Sequence, residues 1–97
     1  MKKGETIRSR KRKATELPAP DLAAATALQA LMDGTAEPEQ QQRALRWIIE
    51  EAAGTYKLNF YDDERSTAFA LGRAFVGQII AGVSKMNLST LRRVTDD

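Results

Sequence analysis

Cysteine and histidine are both missing from the 97 residues. Without cysteine there can be no disulfide and no zinc site of the usual thiolate type. Losing histidine as well removes the commonest general base, the commonest nucleophile–base pairs and the commonest transition-metal ligands. Asp62, Asp63 and Glu64 form the densest carboxylate cluster, but an acidic triplet opening a helix reads as an N-terminal cap and dipole partner. No catalytic, metal or cofactor-binding set is expected, and neither is an enzyme. Aromatics are few, and the one Trp, both Tyr and all three Phe fall within residues 43–77.

Charge is unevenly spread. Lys2, Lys3, Arg8, Arg10, Lys11, Arg12 and Lys13 against Glu5 give residues 1–13 a net +6, so the remainder carries −4 within a total of +2. A block of like charge repels itself, and a basic arm is attracted to polyanions such as nucleic-acid phosphates. An acidic protein surface is the other expected partner, and a solubilising tail is the plain reading. The arm has no aromatic residue to stack on bases.

Length suits one domain, and without the arm roughly 80 residues remain, a size at which burial is about 60 to 65 per cent complete. Such a unit gains from a partner or from self-association. Pro18 and Pro20 make an extended hinge, because each disfavours helix in the residue before it. Asp21 then reads as an N-cap and Gly34 as the stop of a short docking helix over 21–33, with Leu22, Ala25, Leu28 and Met32 on its inner face.

A second helix is predicted over 38–53, with Pro38 in the first position and Leu45, Ile48, Ile49 and Ala52 as its core stripe. Trp47 reads as a core anchor rather than a ligand platform. Residues 55–61 alternate Tyr56, Leu58 and Phe60 in strand fashion but are too short and solitary for a sheet. They are expected to form an extended elbow whose alternate side chains cap the helix pair.

The third helix is predicted over 63–86. Phe69, Gly72, Phe75, Val76, Ile79, Ile80, Val83 and Met86 gather in one arc, read as the core face. Ala70, Ala74, Gly77 and Ala81 form a second stripe of small residues, expected to admit another helix from a partner or a second copy; the alternatives are a neutral solvent-facing surface and internal packing on the first or second helix. Arg73 borders the arc, its stem along the core and its guanidinium reaching Asp62, Asp63 or Glu50; the alternative is an exposed contact for an anion or partner. The fold class is therefore all-α. The chain divides into a basic arm and hinge (1–20), a short helix (21–34), a helical-hairpin module (38–86) and a C-terminal tail (87–97).

Residues 66–83 hold Arg73 as their one charge. An arginine near the centre of a span costs about 2.5 to 3.5 kcal/mol on insertion scales, so a soluble amphipathic helix is expected and membrane contact is not. The charged start, followed by prolines, lacks the apolar segment of a signal peptide. An intracellular site of synthesis is expected.

Arg43, Leu45, Trp47, Ile48, Glu50, Gly54, Tyr56, Phe60, Thr67, Ala68, Phe69, Gly72, Arg73, Val76, Gly77 and Ile80 form a spaced pattern. It resembles that of the Bbp-nineteen-like proteins of tailed phages: R-x-L-x-W-[IL]-[IL]-E, a Gly, a short aromatic segment, then T-A-F-x-x-G-R-x-x-[VI]-G. Where many relatives carry a second basic residue after Gly-Arg, this chain has Ala74. The resemblance covers about 40 residues and leaves the arm and the tail without counterpart. It implies a place rather than a reaction, since genes for such proteins lie among head-assembly genes of short-tailed phages, near portal and capsid genes. Trp47, Phe69, Gly72, Arg73 and Gly77 carry over as packing positions.

The resulting expectation is a non-enzymatic, multicopy structural component of a podovirus virion at the portal vertex or internal core, present in host cytoplasm during assembly. Its partners would be other phage structural proteins, further copies of itself and packaged DNA. The alternatives are a small nucleic-acid-binding accessory protein of packaging or regulation, and a membrane-active ejection protein.

Overall fold

The computed structural model describes residues 14–96. The basic arm over 1–13 lies outside them. The chain is all-helical, with four helices and no strand among the described residues.

Helix α1, Leu22–Asp33, begins where Asp21 Oδ1 accepts the Ala24 N–H at 2.8 Å. It ends at Gly34, whose φ of +78° lies in the left-handed region, while the Thr35 N–H closes back on the Ala30 carbonyl at 2.9 Å. Helix α2, Pro38–Trp47, starts with proline in its first turn, and Gln40 Oε1 accepts the Glu37 N–H at 2.9 Å. The helix does not stop at Trp47. It widens into a π-helical segment, Ile48–Ala52, where the Ala53 N–H reaches the Ile48 carbonyl five residues back at 2.8 Å.

Helix α3, Glu64–Ser84, is capped by Asp63. Helix α4, Leu88–Asp96, occupies the stretch expected as a C-terminal tail. Its start has a sequence signal: Asn87 Oδ1 accepts the Ser89 N–H at 2.8 Å, and Leu88 and Leu91 follow at helical spacing. Packing between elements sets α1 against α2 and the π segment against α3.

The interior differs from the predicted one. Among the described residues its apolar members are Ala14, Ala24, Ala27, Ala44, Ala53, Ala70, Ala74 and Ile49, and no large side chain there is fully buried. In α1 the inner face is Ala24 and Ala27, Ala25 and Leu28 are half-buried, and Leu22 and Met32 stand in solvent. In α2 and the π segment Ala44 and Ile49 are inside, Ile48 and Ala52 are half-buried, and Leu45 is exposed. Most of the arc read as the core of α3 faces outward: Phe75 is 60% exposed, and Phe69, Gly72, Val76, Ile79, Val83 and Met86 are exposed with it, while Ile80 is half-buried.

The elbow is inverted in the same way. Tyr56, Leu58 and Phe60 point out, Leu58 at 82% exposure, whereas Asn59 is 7% exposed and Thr55 is half-buried. One cause covers these reversals. A burial argument places large apolar groups inside because each stabilises by about 1.5 to 3 kcal/mol, against about 0.8 for a methyl. That argument assumes the chain is its own core. With a radius of gyration of 17.2 Å, against about 12 to 13 Å for a compact chain of this length, and extents of 59 × 33 × 17 Å, the chain is elongated, and its thin interior admits small residues and Ile49.

Candidate functional site

Two junctions fix the surface that α3 presents. The first lies where α3 crosses the end of the π segment. The Thr55 N–H and hydroxyl both donate to the Ile49 carbonyl, at 3.1 and 2.6 Å, which holds Thr55 against the helix end. Gly77 meets it there: a Cβ at Gly77 would overlap the Thr55 hydroxyl and lie 2.8 Å from the Ala53 Cβ. Ala70 and Ala74 are buried on the same side of α3, and Ala81 is half-buried. The small stripe expected as a partner interface is thus an internal packing face, because only small residues let α3 approach the π segment this closely.

The second junction surrounds Arg73. Its Nη1 donates to the Ala14 carbonyl at 2.9 Å, and its guanidinium stands 5.7 Å from the centre of the Phe69 ring. Gly54, in the left-handed region with φ +65°, makes room beside it, since a Cβ there would lie 3.5 Å from Nη2. The Gly54 carbonyl accepts from Asn59 Nδ2 at 3.1 Å and from the Lys57 N–H at 3.2 Å. Arg73 therefore ties the start of the described chain to α3 and lies beside the glycine that opens the elbow. The ion pair predicted to Asp62, Asp63 or Glu50 is not formed. Arg73 Nε is buried without a hydrogen-bond partner.

An open cleft of about 650 Å³ lies between the proline hinge and the elbow, lined in part by Glu16, Pro18, Lys57, Tyr61, Asp63 and Arg73. Asp63 is committed to the cap. The Ser66 N–H at 2.7 Å and then the Ser66 hydroxyl at 3.0 Å donate to its carboxylate and hold its pKa below the ordinary value. Lys57 is paired with Glu51 at 2.9 Å. No cluster of three or more metal-ligating side chains occurs among the described residues.

The remaining sequence-predicted positions separate. Trp47 is half-buried rather than enclosed; Phe69 and Gly72 are exposed. Lys2, Lys3, Arg8, Arg10, Lys11, Arg12 and Lys13 lie outside the described residues. Sequence reasoning missed Thr55, Asn59 and Ala14. The signal for the first two was the polar half of the elbow's alternation, directly after a glycine. α3 is also the one helix among the described residues long and apolar enough to cross a membrane, by length and composition alone. Neither the family models, the curated proteins nor the solved structures compared with this chain give a match.

Proposed function

We propose that this protein is a non-enzymatic structural component of a short-tailed phage particle, multicopy and seated at the portal vertex or internal core. The observation that carries an assembly role is the inversion of α3, with Ala70, Ala74 and Gly77 inside and Phe75, Val76, Ile79 and Val83 outside. A subunit built this way keeps its most hydrophobic surface for neighbours. The phage setting rests on the spaced residue pattern of 43–80, and the basic arm is assigned to packaged DNA or an acidic neighbour. Quantitative mass spectrometry of purified particles tests the proposal: the chain is expected at a defined copy number, and its absence from particles overturns the virion role.

A membrane-active reading has one observation in its favour, the length and apolarity of α3. Flotation of the full chain with liposomes tests it directly.

A further inference from the structure

The geometry points to a self-complementary interface on the outer face of α3, through which two copies of this chain pair antiparallel about a two-fold axis level with Gly77. The inference concerns one helix face and stands whether or not the particle assignment does.

The face is defined by what lies behind it. Ala70, Ala74 and Gly77 fix the inner side of α3. Opposite them run Ala68, Gly72, Phe75, Ile79 and Gly82, spaced four, three, four and three. That is the 3.5-residue period of a coiled-coil seam. All five are exposed, and the one charge within 66–83, Arg73, is turned away to the Ala14 carbonyl.

Gly72 and Gly82 supply an independent observation. A glycine inside a helix is less stable than alanine by about 1 kcal/mol, and at Gly77 close packing within the chain explains it. At Gly72 and Gly82 an added Cβ would meet no atom within 4 Å. Nothing in their own chain requires them to be small. A helix backbone approaching from outside would.

The spacing selects a second copy as the occupant. Gly72 and Gly82 are equidistant in sequence from Gly77, and so are Phe75 and Ile79. In an antiparallel pair centred at Gly77, Gly72 of one chain faces Gly82 of the other, and Phe75 faces Ile79. Each close backbone approach thus meets its match, the condition of an isologous two-fold interface. Phe69, Val76 and Val83 flank the seam on one side, and with the seam they expose on the order of 700 Å² per chain. Complete burial of that area on both chains sets an upper limit of about 1,400 Å², which falls within the range of stable specific interfaces. Antiparallel pairing also opposes the two helix dipoles.

The test uses the full chain in analytical ultracentrifugation, followed by oxidation of single-cysteine variants in this cysteine-free background. Wild type is expected at twice the chain mass. Ile79→Glu should raise the dissociation constant by about a hundredfold or more, since pairing would bury a carboxylate at the seam. Ala68→Cys and Val76→Cys are exposed positions that leave the seam glycines in place, so each chain should fold. Val76→Cys should form a disulfide-linked pair with itself, because residue 76 lies one position from the two-fold axis; Ala68→Cys should not, because in this register its two copies lie about 27 Å apart. A wild-type monomer at about 100 µM overturns the proposal, as does a monomer that floats with neutral phosphatidylcholine vesicles. Crosslinking of Ala68→Cys with itself overturns the antiparallel register.

Discussion

Gly77 of α3 and Thr55 of the elbow meet so closely that one added methyl group at 77 would overlap the Thr55 hydroxyl. Gly77→Ala is therefore expected to destabilise the chain by about 1 to 3 kcal/mol through overpacking, even though alanine is the better helix former by about 1 kcal/mol. Urea melts below the association concentration measure this. The control is Gly72→Ala, which should be neutral or stabilising in the same monomer assay because its Cβ enters open space.

Arg73 holds residue 14 to α3 through a single charged hydrogen bond. Arg73→Met keeps much of the stem and removes that bond, at a cost of about 1.5 to 3 kcal/mol. The loss should be local first. Limited proteolysis within residues 14–20 is expected to accelerate before the helical circular dichroism signal falls.

Asp63 gives a pH dependence of known sign. Its folded pKa lies below the ordinary 3.8, because the Ser66 N–H and hydroxyl favour the carboxylate. The stabilisation is present above the unfolded pKa and is lost as pH falls through the folded one. Thermal melts from pH 5 downward should show a loss below about pH 4 that Asp63→Asn reduces, since asparagine caps without titrating.

Deleting residues 1–13 removes a net charge of +6 and none of the described packing. If the arm neutralises phosphates, the slope of log affinity against log salt on duplex DNA should flatten by about 0.9 for each phosphate that the shortened chain leaves unneutralised. An unchanged slope assigns the arm to a protein surface instead. Helicity, read by circular dichroism, should persist.

Caps and stops were the most legible part of this chain, because they depend on a few residues of fixed chemistry. Asp21, Gly34, Pro38, Gly54 and Asp63 all stand where the sequence places them. Helix faces were less legible. Periodicity finds two faces on α3 but cannot say which belongs to the chain's own interior, and the larger side chains pointed wrongly to the outer one. Arg73 was recognised as special without its true acceptor, since a backbone carbonyl 59 residues away leaves no trace in composition. The π segment carries no signal in residue type or spacing at all.

That segment makes the chain sensitive to length in an unusual way. A π turn accommodates one more residue than an α turn over the same rise, so Ile48–Ala52 acts as a fixed rotation between α2 and everything after it. Running the same five residues in α geometry, with none removed, would turn Ala53 and Thr55 by roughly 90° about the axis. Gly77 would then face the wrong side chains. A change that straightened the segment at constant length would leave every helix formable yet misdirect the outer face of α3, whereas a single-codon deletion would compensate for it and keep Ala53 and Thr55 in place.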